Sequence, residues 1–129
     1  MKVIWVNGCF DVLHRGHIEL FKYAKSLGDK LVVGIDTDSR VRKAKGNSRP
    51  FNNLQDRVCM LDSIKYIDEI ISFDSDEELE SQVEHYSPDI MVVGSDWYGK
   101  KVIGQQHSKE VKYFSRIGDY STTSILEKK

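Results

Sequence analysis

Short apolar runs alternate with helix-spaced apolar stripes along the whole chain, and this alternation restricts the possible folds more than any other feature. Residues 2–6 form a β-branched run closed by Asn7-Gly8, the pattern of a strand ending in a turn. Residues 17–27 then place Ile18, Phe21, Ala24 and Leu27 at helical spacing, and Gly28 stops the helix. A second apolar run, 30–35, is bounded by Asp36-Thr37-Asp38. Helical spacing returns over 53–67 through Leu54, Val58, Leu61 and Ile64, and a strand-like segment follows at 68–73. Residues 77–86 set Leu79, Val83 and Tyr86 on one side of a further helix. Two more strands are read at 89–93, after Pro88, and at 111–114, with a short final helix at 121–127.

Strands separated by helices build β-α-β units, whose right-handed crossovers produce a parallel sheet covered on both faces. The expectation is an α/β fold: one doubly wound, Rossmann-like domain over residues 1–129, with a parallel sheet of about five strands. Ligands of such sheets sit beyond the carboxyl ends of the strands, where the strand order reverses. Every unusual residue cluster in this chain falls just after a strand.

A length of 129 residues suffices for one core without staples. The net charge of −1 argues against a protein that coats nucleic acid or binds membranes through a polybasic surface. Cys9 and Cys59, with no export signal ahead of them, read as reduced thiols. The apolar start at 3–6 is too short for a signal-peptide core or a membrane span. These features point to a cytoplasmic enzyme or binding protein, complete as given, with neither nucleic acid nor membrane as a partner.

The segment from Asn7 to His17 carries the most chemistry. Gly8 allows the backbone to approach a ligand closely, and Gly16 does the same at the helix entrance. A helix start supplies unpaired N–H groups and a positive dipole end, both suited to phosphate. His14 and His17, three residues apart, can donate hydrogen bonds to one phosphoryl group as its charge builds. The same spacing also reads as part of a zinc site, with Cys9 or Asp11 as further ligands. The chain has no Gly-x-Gly-x-x-Gly fingerprint and no Walker Gly-Lys-Ser/Thr, which argues against a dehydrogenase or an ATPase.

Gly8-Cys9-Phe10-Asp11 followed by His14-Arg15-Gly16-His17 resembles the His-x-Gly-His signature of the cytidylyltransferase-like nucleotidyltransferases. The resemblance implies that His14 and His17 stabilise a pentavalent α-phosphate, with no covalent intermediate. It implies too that Gly8, Cys9, Phe10, Asp11 and Gly16 line the nucleotide site.

A basic stretch follows the second strand: Arg40, Arg42, Lys43, Lys45, Arg49 and Arg57. Such a cluster reads as a solvated face, as a contact for nucleic-acid backbone, or as a site for a triphosphate and a phosphorylated substrate. Its place after a strand, without interleaved aromatics, favours the last. The run Val41-Arg42-x-x-Lys45-Gly46-x-x-Arg49-Pro50-x-Asn52 resembles heptose-phosphate adenylyltransferases. The resemblance implies that Lys45 contacts the phosphates and that Arg57 holds the substrate phosphate, with Lys43 and Arg49 as neighbouring candidates.

Two distal stretches complete the pattern. Asp96-Trp97-x-Gly99-Lys100 resembles the base-pocket run of glycerol-3-phosphate cytidylyltransferases, which implies nucleotide contacts for Asp96 and Trp97; a loop tryptophan serves equally as a packing anchor. Ser121-Thr122-Thr123 reads as a helix N-cap and also as a grip for β- or γ-phosphate. With Arg116 it resembles the family's Arg-Thr-x-Gly-Ile-Ser-Thr-Thr signature, although the Thr and Ile are replaced and the glycine is shifted by one place.

The expected reaction is direct attack of a substrate phosphate on the α-phosphorus of a nucleoside triphosphate, with Mg2+ arriving on the nucleotide and no protein ligand assigned to it. CTP with a glycerol-3-phosphate-like substrate is slightly favoured over ATP with a heptose 1-phosphate. A homodimer is expected from the relatives. A non-catalytic nucleotide-binding regulator and a basic-loop RNA binder are the competing readings.

Overall fold

The computed structural model describes residues 1–115. The final helix expected at 121–127 lies outside them, as do Arg116, Ser121, Thr122 and Thr123. Five strands alternate with four helices in the order β1 Val3–Gly8, α1 Arg15–Ser26, β2 Lys30–Asp36, α2 Asp38–Lys45, α3 Leu54–Asp62, β3 Glu69–Phe73, α4 Asp76–Tyr86, β4 Ile90–Gly94 and β5 Glu110–Phe114. Short 3-10 turns at Ser95–Trp97 and Gln105–His107 occupy the last connection. The sheet order is β3-β2-β1-β4-β5, and each neighbouring pair is parallel. The chain reverses its direction of travel across the sheet between β1 and β4. That is the switch point where a doubly wound sheet leaves an open crevice.

Alternate strand residues face opposite sides. Ile4, Val6, Leu31, Val33, Ile35, Ile90 and Val92 pack with Phe21 and Ala24 of α1 and Leu61 of α3. Trp5, Val32, Phe73 and Met91 pack on the other side with Leu79 and Val83 of α4 and with Val102. Trp5 is fully buried, and its ring lies over the backbone of Gly34. A Cβ at Gly34 would come within 2.8 Å of Trp5 Cζ2 and 2.9 Å of Phe73 Cε1, so this central position requires glycine. The indole Nε1–H donates to Asn7 Oδ1 at 2.9 Å, satisfying the buried donor.

Two expectations differ from the structure. The helix expected over 53–67 ends at Asp62. The basic stretch after β2, for which no helix was expected, begins with the helix α2. Thr37 caps it by accepting from the Arg40 N–H, Asp38 sits in its first turn, and Arg42, Lys43 and Lys45 sit in its last, all favourable to the helix dipole. Only Val41 of this helix is buried, so no apolar stripe announces it.

Candidate active site

The turn after β1 is tightly wound. Phe10 and Val12 both take positive φ, at 50° and 48°, which is uncommon for residues with a Cβ and most of all for a β-branched one. Phe10 is buried, and its ring meets His17 and Phe21 edge-on at 5.6 and 5.1 Å. Helix α1 then opens with an unusual cap made by its two histidines. His14, in extended backbone at the N-cap, accepts from the Gly16 N–H through Nδ1 at 3.0 Å. His17 Nδ1 accepts from the His14 N–H at 3.2 Å. The rings stack with centroids 3.9 Å apart.

This arrangement selects the tautomer. With each Nδ1 acting as an acceptor, the neutral ring carries its proton on Nε2, so both imidazoles are Nε2–H donors. Burial, then the nearby His14 and the Lys45 ammonium, push the His17 pKa down to about 4. His17 is therefore neutral at physiological pH. It is a hydrogen-bond donor there, not an acid with a labile positive charge.

Beside the histidines a cleft of about 1030 Å³ opens over the carboxyl ends of the strands. Asn7 and Gly8 at the end of β1 and Cys9 just after it line the cleft, with Asp36 from β2, Gly94 at the end of β4, and Asp96 and Trp97 from the 3-10 turn that follows. Helix α2 supplies Arg40, Lys43 and Lys45, the β3–α4 corner supplies Asp74 to Glu77, and Lys101 lines the cleft as well. The cations and carboxylates are partly sorted. Arg40 is clamped between Asp36 (2.7 Å) and Asp76 (2.8 Å), while Thr37 donates to Asp74. Burial acts against the Arg40 charge, but its bonds to Asp76 and Asp36 prevail and hold its pKa above the ordinary value.

The cleft thus brings together Gly8, Cys9, Lys43, Lys45, Asp96 and Trp97 of the expected residues. His14 and His17 adjoin it without lining it; Lys45 is the link, since it lines the cleft and its charge reaches both His17 and Cys9. Burial raises the Cys9 pKa against the opposing fields of Lys45 and Arg57. Trp97 is 48% exposed, which suits a stacking platform better than a packing anchor. The Gly16 N–H, expected to face phosphate, is instead taken up by His14.

Three expected residues lie elsewhere. Asp11 is 1% exposed and accepts from the Phe51 N–H at 2.6 Å and the Asn52 N–H at 2.9 Å, so it ties the loop before α3 to the first turn. Arg49 Nε lies 3.6 Å from the Asp11 carboxylate, and its Nε and Nη2 are buried without a hydrogen-bond partner. Arg57, expected on the substrate phosphate, is 1% exposed. It donates to the carbonyls of Cys9, Asp36 and Asn52 and to the Asp38 carboxylate, which places it inside the protein. A buried guanidinium needs acceptors, and three carbonyls with the Asp38 carboxylate give each of its nitrogens a partner.

The Asp36–Arg40–Asp76 bridge and Lys101 were not singled out from sequence. The only signal for the bridge is the four-residue spacing of Asp36 and Arg40, and its other half lies 36 residues further on. As to zinc, the described residues contain no group of three His, Cys, Asp or Glu side chains placed to hold a metal ion. No helix among them is long and apolar enough to cross a membrane.

Known proteins resemble this chain in sequence and in fold. The model of the family described as cytidylyltransferase-like matches residues 5–128. The chain is 40% identical over 127 residues to the bifunctional protein HldE of Campylobacter concisus (strain 13826), covering 98% of this chain and 27% of that protein. It spans, then, about a quarter of the length of its curated relatives. Among solved structures, a lipopolysaccharide core biosynthesis protein from Thermoplasma volcanium superposes with a TM-score of 0.69 at 29% identity, covering 94% of this chain and 99% of that one. A pantothenate synthetase from Thermus thermophilus shares the fold, with a TM-score of 0.69 at 13% identity over 97% of this chain and 61% of that one. With a family model matched over nearly its whole length and the His-x-Gly-His turn at the mouth of α1, the chain belongs to the cytidylyltransferase-like family.

Proposed function

We propose that this chain is a nucleotidyltransferase domain that joins a small sugar phosphate to the α-phosphate of a nucleoside triphosphate and releases pyrophosphate. The observation that carries the reading is the double-imidazole cap of α1, which makes two adjacent rings Nε2–H donors beside a cleft that Lys43 and Lys45 line. An oxygen of the sugar phosphate, already ionised near neutral pH, attacks the α-phosphorus. The bond to the bridging oxygen breaks and its electrons leave with pyrophosphate, so no general base is required. His14 and His17 donate to the α-phosphoryl oxygens as charge accumulates, which is where preorganised donors act most strongly. Lys45 and Lys43 hold the phosphates, and Asp96 with Trp97 receives the base.

Magnesium carried on the triphosphate would supply charge neutralisation there. Asp36, Asp74 and Asp96 are carboxylates of the cleft lining; Asp36 is already paired with Arg40 and Asp74 accepts from Thr37, and none is assigned to the ion.

The HldE relatives support ATP with a heptose 1-phosphate or a similar sugar phosphate better than CTP with a glycerol-3-phosphate-like substrate. The stretch from Arg42 to Asn52 points the same way. Measuring pyrophosphate release for ATP and CTP against a panel of sugar and polyol phosphates tests this directly. Turnover with ATP and a sugar 1-phosphate is expected, and turnover confined to CTP with glycerol 3-phosphate would reverse the choice. The domain is proposed to work as a homodimer, as the family resemblance implies.

A further inference from the structure

Arg57 is the largest buried charged side chain among the described residues, and the proposed chemistry makes no use of it. Its guanidinium joins four separate pieces of chain. Nη1 donates to the carbonyl of Cys9 at 2.9 Å and to that of Asp36 at 2.7 Å, at the ends of β1 and β2. Nε donates to the Asn52 carbonyl at 3.1 Å, just before α3, and Nη2 to the Asp38 carboxylate at 2.7 Å, at the start of α2. Cys9 and Asp36 both line the cleft.

We infer that Arg57 is a positioning residue: from inside the protein it fixes the β1–α1 turn and the end of β2 in the arrangement that nucleotidyl transfer requires, without touching either substrate. The inference rests on the function proposed above. The turn it grips contains two residues held at positive φ and leads straight into the histidine cap, so a lost anchor at Cys9 displaces the rings that meet the α-phosphate. A rigid planar fork is needed to serve two carbonyls from one nitrogen while facing two more acceptors. Lysine keeps the charge but has no fork. Arg57 also acts on Cys9 electrically, because its field opposes the rise that burial imposes on that thiol.

The test compares Cys59→Ser with Cys59→Ser/Arg57→Lys in the full chain, Cys59 being exposed and not among the residues that line the cleft. A displaced turn is expected to lower kcat by roughly ten- to a hundredfold, with KM for ATP and for the sugar phosphate each within about threefold of the parent. Alkylation of Cys9 by iodoacetamide is expected to become several-fold faster as the turn loosens. A large rise in the KM for sugar phosphate at unchanged kcat would make Arg57 a substrate ligand, and a lowered Tm with unchanged kinetics would make it merely structural. Either result overturns the inference. If Arg57→Lys does not fold, Asp38→Asn leaves the three carbonyl contacts and is expected to lower kcat at unchanged KM; unchanged kcat overturns it. Should the parent release no pyrophosphate with any pair tested, the proposed function fails by itself, and an unchanged Cys9 alkylation rate then decides against the positioning role.

Discussion

His17 combines two properties that normally conflict: it is polar enough to bind phosphate and buried enough to stay uncharged. Its depressed pKa follows from burial first and from its neighbours His14 and Lys45 second. Replacing it by alanine removes one preorganised donor, and turnover is expected to fall by roughly a hundred- to a thousandfold, about 3–4 kcal/mol. Helix α1 buries Phe21 and Ala24 in the core, so His17→Ala should remain folded by circular dichroism while pyrophosphate release drops. The depressed pKa also fixes the sign of a pH effect. The unfolded chain binds a proton near pH 6.5 and the folded one only near 4. Stability contributed by this ring is present above pH 6.5 and is lost as pH falls toward 4, on the order of 3 kcal/mol over the window. Urea unfolding at pH 7 and pH 4.5 should show a smaller acid loss in His17→Gln than in the parent.

At the scale of elements, what could be read from sequence followed from where each signal is stored. β1, β2 and β4 are contiguous apolar runs, and α1 carries its stripe, its cap and its His-x-Gly-His motif within thirteen residues, so local pattern finds them. α2 has one buried residue, Val41, and its helical signals are Thr37, Asp38 and the basic last turn, which a reading by charge alone treats as a loop. Arg57 looks like a phosphate ligand in sequence because nothing in a basic stretch tells which cation turns inward. Its acceptors include the carbonyls of Cys9 and Asp36, far away in the chain and of no particular residue type. The hole over Gly34 is equally hidden, since Trp5 and Phe73 meet there only after β1, β2 and β3 pair. Gly34→Ala is expected to cost about 1–3 kcal/mol by overpacking, read as a lower urea midpoint at unchanged slope.

Across the whole molecule, a net charge of −1 conceals a strong local asymmetry. One cleft gathers Lys43, Lys45 and Lys101 and also Asp74, Asp76 and Glu77 of the β3–α4 corner, so opposite charges are concentrated in separate segments of a single lining. A concave site walled by protein focuses such a field more than a convex surface does. Raising KCl from low to about 0.5 M, where the screening length shrinks to a few ångströms, is expected to raise KM for the triphosphate severalfold with little change in kcat. A salt-independent KM would mean that the lysines do not steer the nucleotide.

The histidine cap has a consequence for how this fold could decay. The two rings that would serve chemistry also close the open end of α1, so drift at these positions is not free. Asparagine or serine at position 14 would still accept from the Gly16 N–H, keeping the helix closed while supplying no imidazole. Descendants that have abandoned catalysis should therefore carry small polar substitutes at this site, and greasy ones only where something else has taken over the closing of the helix.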